Sequence, residues 1–169
     1  MIKQFIEGKT AVFIDASNIY FSQKTMGWQV DFARLLGYLK SETDFWKAFF
    51  YTAHDPSYKK QRRFLDFLEI IGYTVRNKKI KFIKNKSKGG FHKGNLDVEL
   101  TIDAVHNKGE FSSFLLFSGD SDFEALIKYL KQNGKRCIVF SVKDHIALEL
   151  LKQAKFVDIK KLKGYISKK

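Results

Sequence analysis

The stretch AVFIDASNIYFSQ, residues 11–23, runs four apolar residues directly into Asp15. Residues 10–16 carry the β-branched and aromatic side chains that are typical of a buried strand, so Asp15 falls at the carboxyl end of that strand. Ser17 and Asn18 follow at once. A carboxylate in this position either caps the next helix, here one that starts near Asn18, or serves as a ligand in a binding site. Taken alone, the stretch leaves both roles open for Asp15.

Strand-like and helix-like segments alternate along the chain. Apolar runs rich in aromatic and β-branched residues predict strands, and a three-to-four spacing of apolar residues predicts helices. This alternation is typical of an α/β domain with a mainly parallel central sheet, here of about five to six strands, flanked by helices on both faces. The predicted strands are residues 10–16, 45–53, 73–83, 112–119, 136–142 and 156–159, and the predicted helices are residues 30–40, 57–71, 95–107, 121–133 and 144–154.

Length and composition favour a single domain in the cytoplasm. The 169 residues are 44% hydrophobic, which is enough for one well-packed domain over residues 1–169, with its core at 10–160 and a basic tail at 160–169. Cys137 is the single cysteine and cannot form an internal disulfide, which is typical of a protein in a reducing compartment. The sequence has no signal-peptide pattern and no apolar run of roughly 18 residues, so we expect no membrane association.

The net charge of +13 is concentrated in two stretches. Residues 76–93 contain eight Lys and Arg residues and residues 160–169 contain five, and neither stretch contains an acid. Such a concentrated excess is typical of a surface that contacts the phosphate backbone of a nucleic acid, although a solvated loop and tail would give the same pattern. The residues that we predict to contact nucleic acid are Arg76, Lys84, Lys86, Lys88, His92 and Lys93.

Three further acids fall where a doubly wound sheet binds its ligands, beyond the carboxyl ends of strands at the point where the strand order reverses. Asp120 and Asp122, in the block FLLFSGDSDF, end the fourth predicted strand and begin the next helix. Asp97 lies in the first turn of the helix before that strand. If the first strand neighbours the fourth, as is usual in such sheets, these three acids converge with Asp15.

A convergence of four carboxylates indicates a metal site. Like charges a few ångströms apart raise one another's pKa and destabilise the fold unless a cation compensates them. Mg²⁺ or Mn²⁺ takes such oxygen ligands, binds phosphate oxygens and activates a water for phosphodiester cleavage. Asp15, Asp97, Asp120 and Asp122 are therefore predicted to be metal ligands and catalytic groups. Ordinary structural roles stay open beside this one, since Asp120 also suits a turn and Asp122 a helix N-terminus.

The neighbours of these acids are predicted to support the site. Asn18 either bonds its local turn, or holds Asp15 or a metal-bound water. Thr101 lies four residues after Asp97 and so shares its helix face. Asp103 lies six residues after Asp97, about 120° around a helix of about 3.6 residues per turn, which favours a supporting or structural role.

Aromatic side chains can stack on the bases of single-stranded nucleic acids, so their burial bears on function. Phe91, between Gly90 and His92 in the basic stretch, is the one predicted base-stacking residue. Five other aromatics are predicted to pack in the core instead: Phe21, Trp28, Phe45, Trp46 and Phe49.

Three blocks of the sequence closely resemble those of NYN-domain proteins in order and spacing: VFIDASNIY at 12–20, KGNLDVELTIDAV at 93–105 and FSGDSDFEALIKYLKQNGKRCIVF at 117–140. The resemblance is to the LabA-like branch, which is related to PIN-domain ribonucleases, and it spans residues 10–160. It implies a single PIN-like Rossmannoid domain. It also implies cleavage of RNA at an acidic centre that depends on Mg²⁺ or Mn²⁺.

The resemblance also implies which positions form that centre. Lys93 and Gly94 stand at a Lys-Gly lead-in to the helix acid, but two further residues separate them from Asp97 where other members place the acid closer. The matched positions are Asp15 and the asparagine that follows it, Asn18; the two helix acids, Asp97 and Asp103; and Ser118, Asp120 and Asp122 of the Ser-Gly-Asp-Ser-Asp-Phe block.

Other classes of protein fit the sequence less well. A phosphatase of the haloacid dehalogenase type also uses an acid at the end of its first strand, but it needs a second acid two residues later, where this chain has Ser17. No Gly-rich dinucleotide fingerprint follows the first strand, which predicts no nicotinamide or flavin cofactor. A catalytically weak RNA-binding or regulatory module of the same fold, as a monomer or a homodimer, stays open beside the metal-dependent ribonuclease.

Overall fold

The computed structural model describes residues 2–83, 91–93 and 95–169, with side chains described at residues 2–80 and 95–169. These ranges contain eight strands and seven α-helices. Within them, no helix is both long and apolar enough to span a bilayer. The strands are β1 (Lys9–Asp15), β2 (Asp44–His54), β3 (Thr74–Lys79), β4 (Lys81–Ile83), β5 (Phe91–Lys93), β6 (Ser113–Phe117), β7 (Arg136–Ser141) and β8 (Lys155–Asp158). The helices are α1 (Ala16–Met26), α2 (Phe32–Glu42), α3 (Lys59–Ile71), α4 (Asp97–His106), α5 (Glu124–Gln132), α6 (Leu148–Gln153) and α7 (Lys163–Ile166).

Six of the strands form one parallel sheet in the order β3-β2-β1-β6-β7-β8. β1 lies inside it and pairs in parallel with β2 on one side and with β6 on the other. The strand order therefore reverses between β1 and β6, which end at Asp15 and Phe117 on one edge of the sheet, here called the switch edge. The predicted α/β fold with a parallel central sheet is confirmed, and the first and fourth predicted strands are neighbours.

Side chains alternate between the two faces of the sheet, and helices cover both faces. Along β1, Val12 and Ile14 pack on the face covered by α1, α2, α3 and α7, whereas Ala11 and Phe13 pack on the face covered by α4, α5 and α6. Because both faces are covered, a central strand is apolar at nearly every position instead of every second one. This is why residues 11–14 of β1 form a continuous apolar run, which ends at Asp15.

The core on the second face is built around stacked phenylalanines. The Phe13 ring is fully buried and lies 4.8 Å from the Phe49 ring and 4.9 Å from the Phe114 ring, centroid to centroid. Removing such a ring, as in Phe13→Ala, typically lowers the free energy of unfolding by about 3–5 kcal/mol. The core prediction is confirmed for four of its five aromatics, since Phe49 is buried and Trp28, Phe45 and Trp46 pack against the core while partly buried. For Phe21 it is wrong, because this side chain is 60% exposed.

The predicted strand 73–83 forms two strands that belong to different sheets. β3 pairs with β2 as far as Lys79 opposite His54, where β2 ends. With no partner beyond that point, the chain turns, and β4 pairs antiparallel with β5. Residues 91–93 of the basic stretch 76–93 therefore form a strand, and residues 84–90 of that stretch lie outside the described residues.

The helix α1 is not among the predicted helical segments; the sequence indicated a helix near Asn18 only through the possible capping role of Asp15. Only Ala16, Ile19 and Ser22 of its residues are buried, so its sequence lacks a continuous three-to-four repeat of apolar residues. Its bounds are instead set by its ends: Asp15 caps the N-terminus, and Gly27 ends the helix in a left-handed conformation with φ of 71°.

Candidate acidic site at the switch edge

Asp15 joins β1 to α1 through both oxygens of its carboxylate. Its Oδ1 accepts hydrogen bonds from the backbone N–H groups of Ser17 and Asn18, at 3.1 and 3.3 Å, and from the Ser17 hydroxyl at 2.6 Å. Its Oδ2 accepts a hydrogen bond from the Ser118 hydroxyl at 3.0 Å. Asp15 thus caps α1, which is one of the two roles that its position left open, and its second oxygen accepts a hydrogen bond from the end of the neighbouring strand.

Ser118, the first residue after β6, ties the two central strand ends together. Its hydroxyl donates to Asp15 and accepts a hydrogen bond from the backbone N–H of Asp120 at 3.2 Å. Ser118 is fully buried, and its hydrogen bond to Asp15 is shielded from water. Ser118, which the family resemblance matched to a site position, therefore has a structural role: its two hydrogen bonds fix the distance between Asp15 and the turn that carries Asp120.

Asp97, Asp120 and Asp122 form an acidic cluster beside this contact. One carboxylate oxygen from each of the three lies within 4.8 Å of the others. The Asp120 carboxylate accepts a hydrogen bond from the backbone N–H of Asp122 at 3.0 Å, which begins the short 3₁₀ helix Ser121–Phe123 and places both acids on one turn. Two chain segments that are more than twenty residues apart thus supply one cluster.

Asp97 is presented by the first turn of α4, whose neighbouring residues Leu96 and Leu100 are buried against the sheet. The Asn95 side chain holds it from both sides: its amide N–H donates to the Asp97 carboxylate, and its oxygen accepts the Asp97 backbone N–H at 3.3 Å. Burial, and after it the charges of Asp15, Asp120 and Asp122 in that order, together raise the pKa of Asp97 to about 6. The four predicted acids therefore interact electrostatically at one place.

Asp15 is part of this electrostatic group without being part of the three-oxygen cluster. Asp15 and Asp97 line the same small cleft, of about 10 Å³, with Tyr51 and Leu96 among its other walls. The oxygens of Asp15 are already taken up by the helix cap and by Ser118, as described above. Asp97, Asp120 and Asp122 are therefore the better placed of the four predicted ligands to share one cation.

The donor set at this place fits a hard divalent cation. Every group in the cluster is a carboxylate oxygen, the ligand type that Mg²⁺ and Mn²⁺ prefer. Among the described residues, no Lys, Arg or His forms an ion pair with these three acids, so their repulsion is uncompensated there. Asn18, three residues after Asp15, has a buried Oδ1 that lacks a hydrogen-bond partner in the described part of the chain. A cluster of three carboxylates without a basic partner is suited to hold a cation and its water shell.

Asp103 lies away from the cluster and makes a separate network. Its Oδ2 accepts hydrogen bonds from the Tyr51 hydroxyl and from Nε of Arg76, both at 2.9 Å. Arg76 is on β3 and Tyr51 on β2, so this network fastens α4 to two strands of the sheet. One turn earlier, Glu99 of α4 pairs with Lys78 of β3. The guanidinium of Arg76, a predicted nucleic-acid contact, is therefore already paired with Asp103. Thr101, a predicted supporting residue, lies between Glu99 and Asp103 in the sequence of α4 and is half-buried.

Two side chains that hold the acids were not among the predicted site residues. Ser17 bonds Asp15, and Asn95 bonds Asp97, each from two residues away in the sequence. A Ser or Asn at that spacing from an acid at a helix start is the signal that could have found both, because such side chains commonly bond the backbone and carboxylates of the first turn.

The predicted basic contacts are only partly described. Lys84, Lys86 and Lys88 lie outside the described residues, and for His92 and Lys93 the backbone alone is described, within β5. The same holds for Phe91, the predicted base-stacking residue. On the described part of this stretch, Arg76, Lys78 and Lys79 are exposed along β3, and Lys79 makes no ion pair among the described residues.

The fold and the acidic cluster define an α/β domain with a six-stranded parallel sheet and a carboxylate site at its topological switch point. Residues 9–160 match the NYN domain, and the chain belongs to that family. The resemblance predicted from the three sequence blocks is confirmed.

Two individual proteins are similar over nearly the whole chain. The Low amplitude and bright protein LabA of Synechococcus elongatus is 35% identical over 170 residues, which cover 97% of this chain and 90% of LabA. The crystal structure of a protein of unknown function from Vibrio parahaemolyticus has the same fold, with a TM-score of 0.76 and 26% identity over 90% of this chain and 93% of the other.

Proposed function

We propose that this NYN-domain protein is a metal-dependent ribonuclease that cleaves phosphodiester bonds at the switch edge. The observation that carries the proposal is the acidic cluster: Asp97, Asp120 and Asp122 place three carboxylate oxygens within 4.8 Å of one another. Burial and, after it, the surrounding acids raise the pKa of Asp97. Asp97, Asp120 and Asp122 would hold Mg²⁺ or Mn²⁺, with Asp15 adding negative charge beside them. A divalent cation at such a site supplies a nucleophilic water and neutralises charge on the leaving oxygen.

The chain's own residues account for how such a site is kept in place. Asp15 and Ser118 lock the ends of β1 and β6, which fixes the turn that bears Asp120 and Asp122. Asn95 restrains Asp97 on the opposing helix, and the Arg76–Asp103 pair fastens that helix to the sheet. The Oδ1 of Asn18, which has no hydrogen-bond partner among the described residues, would be free to accept a hydrogen bond from a water. Preorganised ligands of this kind need no rearrangement when the reaction occurs.

Substrate binding follows from the charge distribution. The acidic cluster repels phosphate by itself, and the net charge of +13 lies in the stretches 76–93 and 160–169. Lysines in these stretches would hold the backbone of the nucleic acid while the cluster, with its cation, acts on one phosphodiester. RNA is favoured over DNA by the resemblance of the NYN family to PIN-domain ribonucleases.

Cleavage of a labelled single-stranded RNA tests the proposal. The wild-type protein is expected to cleave this RNA in Mn²⁺ or Mg²⁺ and not in EDTA. The cleavage rates of Asp97→Asn and Asp120→Asn should be at least about 100-fold lower, which is the usual effect of removing a group that stabilises charge in a transition state. Asp66→Asn, an exposed acid on α3, is the matched control and should cleave as wild type does. Equal cleavage by all variants would mean a contaminating nuclease and would end the assignment.

A regulatory or RNA-binding module of the same fold is the other outcome of this experiment. The cap made by Asp15 and the hydrogen bonds from Asn95 to Asp97 would also stabilise a fold without catalysis. Binding of RNA without cleavage, in a protein whose melting temperature nonetheless rises with Mn²⁺, would identify that module. A cation bound to the folded state alone raises stability by about 2.7 kcal/mol at 100 times its dissociation constant.

A further inference from the structure

Phe21, which is exposed, and His145, which is half-buried, form an aromatic pair beside the turn that follows β7. Their ring centroids lie 4.8 Å apart with the rings tilted by 42°. Phe21 is on α1, the helix that Asp15 caps, and His145 is in the turn that follows β7. Phe21 is 60% exposed, which is unusual for a phenylalanine because its exposed ring gains nothing from the apolar core. An exposed ring held against a second ring is a surface that a flat ligand can cover.

The imidazole of His145 is held in a fixed orientation by two hydroxyl groups of α1. Its Nδ1 shares a hydrogen bond of 3.2 Å with the Ser22 hydroxyl, and its Nε2 shares one of 3.0 Å with the Thr25 hydroxyl. Since both ring nitrogens are engaged, rotation of the ring would break two hydrogen bonds at once. The pair is therefore preorganised, which lowers the conformational entropy lost when a ligand binds.

The turn that carries His145 lies directly against the acidic site. The backbone N–H of Ala147 donates to the carbonyl of Gly119 at 3.0 Å. A Cβ added at Gly119 would come within 2.1 Å of the His145 carbonyl oxygen, so only glycine allows this approach. Gly119 immediately precedes Asp120 of the acidic cluster. The aromatic pair and the cluster are thus joined through one close backbone contact.

The charges around the pair favour an anionic ligand. Lys24 lies one turn after Phe21 on α1, and Lys143 lies in the same short helix as His145; both are exposed. Neither forms an ion pair with a described residue, whereas the one acid of that short helix, Asp144, lies 3.7 Å from Lys160. Aromatic rings between unpaired lysines are the combination by which proteins bind single-stranded nucleic acids.

We propose that Phe21 and His145 form a stacking subsite for a nucleobase of single-stranded RNA, adjacent to the phosphodiester at the acidic cluster. This rests on the proposed function in taking RNA as the substrate. A base in a duplex has both faces covered by its neighbours, so the subsite selects an unpaired nucleotide. Lys24 and Lys143 bind the phosphates on either side of the stacked base.

The test measures binding apart from cleavage. A single-stranded oligoribonucleotide containing one 2-aminopurine is titrated with the protein in the Asp120→Asn background, so that the RNA stays intact. Stacking on the pair quenches the fluorescence of 2-aminopurine. Phe21→Ala is expected to remove the quenching and to weaken binding roughly 5- to 100-fold, the range for one base–aromatic stack. Phe21→Trp should keep both, and Phe67→Ala, an exposed phenylalanine on α3, is the matched control that should bind as the background does.

The possible outcomes separate the subsite from the proposed function. Unchanged affinity and unchanged quenching in Phe21→Ala would overturn the subsite and leave the aromatic pair as a contact for another protein. Failure of the Asp120→Asn protein to bind any single-stranded RNA would also overturn the subsite. A wild type that never cleaves RNA but binds it through Phe21 would overturn the ribonuclease and leave the subsite standing. Cleavage by Phe21→Ala with the KM of wild type would overturn the subsite alone.

Discussion

The Ser118 hydroxyl donates a hydrogen bond of 3.0 Å to Oδ2 of Asp15 and so joins the carboxyl ends of β6 and β1. These two strands are neighbours only in the folded sheet, since 103 residues separate the two side chains in the sequence. The contact lies at the point where the strand order reverses, and the acidic cluster is built next to it.

Replacing Ser118 by Ala should destabilise the fold and loosen the site. The substitution leaves Oδ2 of the nearly buried Asp15 without its donor, and loss of a hydrogen bond to a charged group costs about 1.5–3 kcal/mol. Urea denaturation would measure the loss in the free energy of unfolding. Ser121→Ala, an exposed serine in the same block, should change it by less than about 0.5 kcal/mol. Equal stability of the two variants would contradict the role of this hydrogen bond.

The stability of the metal-free protein should fall as Asp97 ionises. Its pKa is raised from the ordinary 3.8 to about 6, so the folded state binds this proton more tightly than the unfolded chain does. The contribution of Asp97 to the free energy of unfolding is therefore fully present below about pH 4 and is lost as the pH rises through about 6. Because Asp97 is partly exposed, we expect a loss of about 1–2 kcal/mol after allowance for solvent screening.

The difference in stability between the wild type and Asp97→Asn, measured in EDTA between pH 4 and 7, isolates this effect from other carboxylates. The wild type should lose stability relative to the variant over that range. Addition of Mn²⁺ should lower the pKa of Asp97, because a cation favours the ionised carboxylate. A difference that is flat with pH would show that the acids do not interact as the geometry indicates.

Replacing Asp103 should lower the stability of the fold without weakening metal binding. Asp103→Ala removes the acceptor of the Tyr51 hydroxyl and the partner of Arg76, which should cost about 1–3 kcal/mol, chiefly from the unpaired tyrosine hydroxyl. The Mn²⁺-dependent rise in melting temperature should persist, since Asp103 is not in the acidic cluster. Loss of that rise in a variant that is still folded would make Asp103 part of the cation site.

Removal of three lysines from the basic stretch should weaken RNA binding without unfolding the protein. For Lys84→Ala, Lys86→Ala and Lys88→Ala together, we expect the slope of log affinity against log salt to decrease by about 2, given about 0.7 per phosphate contact with a single strand. Fluorescence anisotropy at several salt concentrations measures it. The same number of charges removed at Lys59, Lys60 and Lys152, which are exposed on α3 and α6, is the matched control. An identical decrease in both triple variants would mean that only net charge matters.

Much of the fold could be predicted because the pattern of the core is local. The apolar runs that became β1, β6 and β7 are continuous since helices cover both faces of the sheet, and such runs are visible in any sequence. The prediction failed where structure depends on a partner: β3 ends because β2 ends, and α1 is held by its caps and by Ile19 with little amphipathic signal. The core prediction for Phe21 is wrong for a similar reason: the apolar character of a side chain does not show whether a neighbour in the fold covers it.

The sequence by itself determined the kind of fold, the family and the four acids at predicted strand and helix ends, because each of these depends on residue types at short spacings. Only the tertiary structure decided how the acids are divided: Asp15 is committed to a helix cap and to Ser118, while Asp97, Asp120 and Asp122 share one place. It also decided that Arg76 is paired with Asp103 and that Phe21 meets His145 at the surface. The physical reason is that hydrogen bonds and Coulomb interactions act over a few ångströms, and which side chains come within that distance depends on the order of the strands in the sheet.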